Sequence, residues 1–503
     1  MSRPRFRPTR PRLPDVIAGV SVALVALPQA LAYADLAGLP PVAGLHAVIP
    51  ALLVAAPFLS ARELQVGPVA TTSLLTFGTL SALAAPSTPS WIALAALLAL
   101  MVGLIRIAIG LLGWGRVAYL LSRPVLIGFL NAAAVLILLS QIPAVLGVAG
   151  GRGVLGPAWQ ALTAASTWNL HAIAYAVGTV LIVQAARRIH PLVPGVLIAA
   201  GAALAVSIAT GYGGPVVGAV GDAWPTPRLD LPWQAAPRLA VGALVLALVG
   251  FSEAATIGRD LAARARRPWD PDREFVAQGA ANVAAGLFGG FPVGASFSRS
   301  AVNRLAGATS RWSGFVTGLA LLAALPLVPL LDHLPAAVLA GVIISAVTSL
   351  LRLGELFSVA RDSRSQGVIA ISTFVLTLAL APRIDEAVLI GVLLAIGQHL
   401  RREQALELDV TREDGVLRVA LRGVLWYGNA QRLEEAMPGL LAKHRDADRL
   451  VFDLAGCGRV DWSGAMTIRE ILADAAELEM QGRLERVPFH AQRWFRTVWR
   501  HLD

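Results

Sequence analysis

The chain has 503 residues, 56% of them hydrophobic and 15% charged, with a formal net charge of +10 and a mean hydropathy of +0.65. A chain of this length and apolarity is not an ordinary soluble protein and reads as an α-helical polytopic membrane protein. The positive charge does not point to nucleic acid, because the arginines sit in short loops between apolar runs, and the single cysteine, Cys457, excludes both an intramolecular disulfide and a thiolate metal cluster.

Residues 1–12 form a basic N-terminus carrying Arg3, Arg5, Arg7, Arg10 and Arg12, which the positive-inside rule puts in the cytoplasm. It leads into the first apolar span with no A-x-A-like cleavage site, so that span is expected to be retained. Within it, Gln29 follows Pro28 and suits either a structural amide or a donor to a bound oxyanion. His46 and Asn131, in later spans, read as helix–helix hydrogen-bonding residues. Arginines then mark alternate loops: Arg62, Arg116 and Arg123, Arg187 and Arg188, Arg259 to Arg273, Arg304 and Arg311, Arg352 to Arg364, and Arg401 with Arg402. Placing each of these in the cytoplasm predicts fourteen crossings over residues 13–400, with both termini inside.

Two crossings are too short and too interrupted to be ordinary spanning helices. The first begins at Leu64-Gln65-Val66-Gly67-Pro68-Val69. The second runs through GLFGGFPVGASFSRSAVNR at 286–304, where Gly289, Gly290, Pro292 and Gly294 interrupt the span. In hydrocarbon every peptide group must be bonded internally, so broken backbone is tolerated only inside protein or around a cavity. Leu64-Gln65-Val66 and Phe291-Pro292-Val293 are expected to pair as short antiparallel strands, each followed by a half-helix starting near Pro68 or Val293.

Fourteen segments divide into two sevens, about 13–210 and 236–400. Seven is odd, so the second half enters from the opposite side. The run 14–35 matches 238–259 in pattern, setting Gln29 opposite Glu253, and Val66-Gly67-Pro68-Val69 falls opposite Val293-Gly294-Ala295-Ser296. Inverted repeats with discontinuous helices are a transporter architecture whose site lies where the broken helices meet. Opposed half-helix N-termini expose unbonded N–H groups and partial positive charge, which suits an anion and needs no metal. The candidate anion-binding set is therefore Gln29, Gly67, Pro68, Val69, Gly294, Ala295, Ser296, Ser298 and Arg299. Arg299 is expected about one and a half turns into its half-helix, facing the cavity; its bland alternative is to snorkel to the surface beside Arg304. Glu253 would sit near the site, where a desolvated carboxyl takes up a proton readily and can carry a coupling proton. An ion pair with Arg259 or Arg299 is its structural alternative. Ile257, one turn on, offers no oxygen to a sodium ion, although Thr256 leaves that open. Asn282 is placed to bond unwound backbone nearby.

Residues 401–503 read as a small soluble α/β domain. Strands LELDVT and VLRVALRG are joined through Asp414-Gly415, and a helix follows at about 429–442. Next come the apolar strand Leu450–Leu454 and Asp461-Trp462-Ser463-Gly464, which opens an amphipathic helix to about 481. RLERVP, after Gln481, is a poor final buried strand, and a terminal helix is expected over 489–502. Ser463 reads most simply as a helix N-cap.

At these residues the chain resembles the SulP family of anion transporters, that of bacterial sulfate permease-like proteins, prestin and pendrin. The resemblance is carried by ALPQALAYADLAGLPPVAGLHAVIPALL at 26–53, LQVGPVATTSLL at 64–75, GFLNAAAVLILLSQI at 128–142 and FPVGASFSRSAVN at 291–303. It implies core and gate domains, an anion site between the third and tenth segments, an elevator-like motion, a homodimer and a C-terminal cytosolic STAS domain. It carries the family's binding arginine and serine onto Arg299 and Ser298, its first-helix glutamine onto Gln29, and its coupling carboxylate onto Glu253. Asp-x-Ser-Gly resembles the STAS motif of anti-sigma factor antagonists, which would make Ser463 a regulatory phosphorylation site read by a cytosolic partner. The expectation is a secondary active transporter of the cytoplasmic (inner) membrane, without enzymatic activity or cofactor, that moves a dicarboxylate of the fumarate type with a proton. The alternatives are bicarbonate or sulfate, with protons or sodium, and in other classes a passive anion channel or a membrane-tethered regulator acting through its STAS domain.

Overall fold

The computed structural model describes residues 11–119, 122–148, 153–218, 224–348 and 350–500. The basic stretch 1–10 and the last residues of the expected terminal helix lie outside these. The chain divides into two compact units, one running to Val392 and the other starting at Leu393.

In chain order the first unit holds α1 (Leu13–Leu36), α2 (Val42–Ala55), β1 (Val66–Gly67), α3 (Ala70–Leu80), α4 (Pro89–Leu111), α5 (Arg123–Ser140), α6 (Ile142–Leu146), α7 (Leu155–Thr163), α8 (Leu170–Ile189) and α9 (Gly195–Thr210). It continues with α10 (Ala236–Arg264), α11 (Pro271–Leu287), β2 (Gly294–Ala295), α12 (Phe297–Leu305), α13 (Trp312–Ala324), α14 (Ala336–Val347), α15 (Leu353–Asp362), α16 (Arg364–Ala379) and α17 (Ile384–Glu403), the last running on into the second unit. The order long helix, helix, two-residue strand, short helix occurs once from α1 and again from α10. Among the described residues, six helices are long and apolar enough to cross a bilayer, and four more are apolar but shorter. α3 and α12, at 11 and 9 residues, are too short to span alone, because a crossing takes about 20 residues.

Both strands fall slightly later than expected. The ladder pairs Val66 with Ala295 and Gly67 with Gly294, antiparallel, and the half-helices begin at Ala70 and Phe297 rather than near Pro68 and Val293. Pro68 has no N–H and its carbonyl is taken by a side chain, so the turn between strand and helix absorbs two more residues than composition suggests. Glycines let α4 and α11 approach backbone to backbone, as small residues do in membrane bundles. A β-carbon at Gly103 would lie 2.6 Å from Val283 N and 2.7 Å from Gly279 O, and one at Gly286 would lie 2.6 Å from Ala96 O. Asn131 bonds a loop rather than another helix: its Oδ1 accepts the N–H of Arg352, just before α15, at 2.7 Å, and its Nδ2 donates to Ile127 O of its own helix at 2.9 Å.

The second unit carries a four-stranded sheet in the order β3 (Leu406–Glu413), β4 (Val416–Leu425), β5 (Arg449–Val460), β6 (Gln481–Glu485). β3 and β4 are an antiparallel hairpin closed by Asp414 and Gly415, both at positive φ (49° and 74°), as a two-residue hairpin turn requires. α18 (Tyr427–Lys443) and α19 (Trp462–Glu477) are the crossovers that keep β4, β5 and β6 parallel, and α20 (Phe489–Arg500) follows. Leu417, Val419 and Leu421 of β4, Leu450, Phe452 and Leu454 of β5, and Leu433 and Ile468 of the helices make one core. Cys457 is buried in it, and burial pushes its thiol up to about 11, so it is not a reactive thiol at neutral pH. Two expectations are corrected. Gln481–Glu485 does form the last strand: it lies at the sheet edge, where one face and one neighbour suffice and a polar strand is tolerated. The N-cap of α19 is Asp461, whose Oδ1 accepts Gly464 N at 2.8 Å; Ser463 is the second helical residue.

Two stability outcomes follow. Gly103→Val should force α4 from α11 and cost roughly 2 kcal/mol or more, read as a lowered melting temperature of the detergent-solubilised protein. Asp461→Ala should cost about 1 kcal/mol in the second unit only, read as faster proteolysis at α19 with the melting of the first unit unchanged.

Candidate functional site

The ladder brings the starts of α3 and α12 to the same place. At α3 the preceding residue, Val69, is extended and gives no side-chain cap, so first-turn N–H groups are left for a ligand or water. At α12 the cap is Ser296, whose Oγ accepts Arg299 N at 3.4 Å and lies 3.3 Å from Ser298 Oγ. Beside these ends is a cavity of about 70 Å³, room for a few water-sized groups, since each needs roughly 10–15 Å³. One wall is Val69, Ala70 and Thr71 of the first half-helix region with Ala295, Ser296, Phe297 and Ser298 of the second; Tyr33 of α1 and Glu253 of α10 complete it. The other wall is Arg187 of α8 with Ala346 and Leu350. Arg187 also donates from Nη1 to Ser345 O at 3.2 Å.

Of the residues singled out in the sequence, Val69, Ala295, Ser296, Ser298 and Glu253 line this cavity. Gly67 and Gly294 face each other in the ladder. Arg299 lies in the first turn of α12, not one and a half turns in, because that helix starts later than expected. It is only 1% exposed and reaches back across the ladder, donating from Nη2 to Pro68 O at 2.9 Å. It does not snorkel; Arg304 is the exposed one. Its Nε and Nη1 have no hydrogen-bond partner among the described residues. Gly67 must lack a side chain here: its φ is 152°, and a β-carbon would lie 2.8 Å from Val48 Cγ2 and 3.1 Å from Arg299 Nη2. Gln29 is buried on α1, one turn before Tyr33, with its Oε1 unpartnered, and is not among the cavity-lining residues. Asn282 bonds the break as expected, its Oδ1 accepting Val293 N at 2.9 Å and its Nδ2 donating to Val293 O at 3.0 Å. Among the described residues no group of three or more His, Cys, Asp and Glu is placed to hold a metal.

Four residues of this region were not visible from the sequence reading. Thr71, buried with its hydroxyl toward the Glu253 carboxyl, stands in α3 where Ser298 stands in α12, the second helical residue in each; extending the Gly67–Gly294 match by four residues finds it. Tyr33 was one helical turn from Gln29, a spacing that shares a face. Arg187 was read only as a loop charge. Arg106, inside α4, shows in the sequence only as an arginine within an apolar span.

The sulfate permease family profile matches residues 13–373. A probable sulfate transporter of Mycobacterium tuberculosis H37Rv is 34% identical over 394 residues, covering 77% of this chain and 70% of that protein. Human solute carrier family 26 member 6 is 30% identical over 416 residues, covering 76% of this chain and 54% of that protein. Among solved structures, the murine Slc26a9 anion transporter in its inward-facing state superposes with a TM-score of 0.88 at 20% identity, over 98% of this chain and 88% of that one. The transmembrane domain of the cyanobacterial bicarbonate transporter BicA superposes at 0.66 and 25% identity, over 76% and 97%. On the family match and these relatives, the chain belongs to the sulfate permease (SulP/SLC26) family of multi-pass membrane proteins, anion transporters rather than enzymes.

Proposed function

We propose that this transporter is a secondary active carrier that takes up a small oxyanion together with a proton, in the cavity between the starts of α3 and α12. The observation that carries the reading is the company Glu253 keeps: it shares one small cavity with the uncapped α3 terminus and the hydroxyls of Thr71, Ser296 and Ser298. The helix end and hydroxyls attract an anion. An anion and a carboxylate at that range repel strongly in low dielectric, so binding the anion favours binding a proton at Glu253, and the two travel together. Arg299 supplies fixed positive charge from behind the ladder, and Gln29 an amide. Sulfate heads the substrate proposal, supported by the small cavity and by relatives named as sulfate transporters; bicarbonate has a like-named structural neighbour. A fumarate-type dicarboxylate, the choice on sequence grounds, remains the second reading, supported by the proton-carrying role given to Glu253.

The remainder of the proposal comes from family resemblance. Residues 13–400 form a fourteen-segment domain of two inverted repeats that works by an elevator motion. Residues 401–503 are a cytosolic STAS domain that meets a cytosolic partner and is open to regulation at Ser463. The protein is a homodimer in the cytoplasmic membrane with both termini inside.

Proteoliposomes with an inward proton gradient and labelled sulfate, bicarbonate or fumarate test this. At least one anion should accumulate above equilibrium and be released by a protonophore; flux indifferent to the gradient would mean a channel. Glu253→Gln should abolish accumulation while leaving downhill anion exchange. Arg299→Ala should raise KM about tenfold, the loss of roughly 1.4 kcal/mol of attraction to its fixed charge; an unchanged KM removes the arginine from the site.

A further inference from the structure

Arg106 is fully buried about one and a half turns before the end of α4, and a buried arginine in an apolar span is costly unless something uses it. No carboxylate lies within ion-pair distance of it among the described residues, and the carboxylate whose charge reaches it is Glu253. All of its hydrogen bonds go to backbone carbonyls. Nε donates to Ala247 O at 3.1 Å and Nη2 to Leu246 O at 3.0 Å, both on α10, while Nη1 donates to Val293 O at 3.1 Å. The first two carbonyls lie less than two turns before Glu253 on the same helix. The third belongs to the residue immediately before β2, whose strand leads into Ser296, Ser298 and Arg299.

The packing is built around this reach. A β-carbon at Gly250 would lie 2.6 Å from Arg106 Nη2 and 3.2 Å from Thr72 Cγ2, and one at Gly294 would lie 3.4 Å from the same Thr72 methyl. The guanidinium therefore lies one layer behind the cavity wall. A planar fork with five N–H donors in fixed directions can hold carbonyls of two separate elements at once; an ammonium on a flexible stem cannot fix that geometry.

We propose that Arg106 is a positioning residue of the anion site: it clamps α10, which carries Glu253, to the interrupted strand that carries the anion-binding end of α12. It acts through Val293 and α10 rather than by touching the anion. The proposal rests on the reading of the cavity as the anion site, but its structural half does not.

The test uses the full-length protein. Hydrogen exchange by mass spectrometry on Arg106→Gln should show residues 288–300 exchanging roughly tenfold faster, the loss of about 1.5 kcal/mol of local protection, with α13 and the second unit unchanged. In proteoliposomes the same variant should raise the KM for sulfate about tenfold with a smaller change in Vmax per folded molecule. Arg106→Lys should rescue neither readout, because charge without the fork does not clamp. If Arg106→Gln does not fold, Gly250→Ala perturbs the clamp from the α10 side and should reproduce the exchange signature more weakly. Unchanged protection over 288–300, a lowered Vmax with unchanged KM, or full rescue by lysine would each overturn the clamp. If wild-type protein moves no sulfate, the substrate proposal fails, and the exchange measurement still decides the clamp.

Discussion

The fold of the first unit depends on one constraint: broken backbone inside a membrane protein must find every hydrogen bond within the protein. The two interruptions meet it largely by serving each other. Gln65 donates its N–H to Ser300 Oγ at 2.9 Å and accepts from Ser296 N at 2.9 Å. Pro68 has no N–H to satisfy, and its carbonyl takes the Arg299 guanidinium. Val293 is bonded on both sides, its N–H by Asn282 and its carbonyl by Asn282 and Arg106. An extended segment here is affordable only because a second one lies beside it, so neither break stands without the other.

That mutual dependence fixes the direction of the half-helices. Gly67 pairs with Gly294 in an antiparallel ladder, and these are the residues that correspond in the internal repeat. When equivalent residues face each other across antiparallel strands, a local two-fold relation runs between them. α3 and α12 then leave the ladder in opposite senses, with both N-termini beside it. The positive ends of both helices converge on one region, which takes positive potential from the backbone before any side chain is considered.

How much of this could be read from the chain follows the same physics. Glycine and proline in an apolar run are strong signals, since they cannot continue a lipid-facing helix, so the breaks, their pairing and the residues beside them were legible. The starts of the half-helices were misplaced by two to four residues because helix entry depends on which carbonyls are already taken, a tertiary matter. That displacement moved Arg299 into the first turn and turned it from the cavity toward Pro68. Thr71 is hidden because threonine in a short helix looks ordinary until its hydroxyl is found beside Glu253 in the cavity wall. In the second unit, Asp414-Gly415 announced its turn, whereas the polar strand Gln481–Glu485 did not announce itself: an edge strand is specified by its neighbour's free hydrogen bonds more than by its own side chains. Asp461 and Ser463 are both capping types two residues apart, and only the backbone decides which one precedes the helix.

Buried polar groups in this protein divide by how completely they are satisfied. Asp15 accepts the N–H groups of Thr309 and Ser310 and the Ser310 hydroxyl, and Glu274 accepts from Ser60 N, Ala61 N and Gln278 Nε2. Arg106 fills three carbonyls. Such groups tie helices to loops or breaks, and their bonds are complete without a ligand. Arg299, with Nε and Nη1 unpartnered, and Gln29, with Oε1 unpartnered, are among the buried groups left incomplete, as are Gln65, Ser73 and Asn303. A desolvated polar atom left without a partner costs roughly 1–3 kcal/mol, and those of Gln65 and Arg299 lie at the paired breaks. At the breaks the complete groups, Asn282 and Arg106, hold the backbone in place, while Arg299 keeps donors to spare.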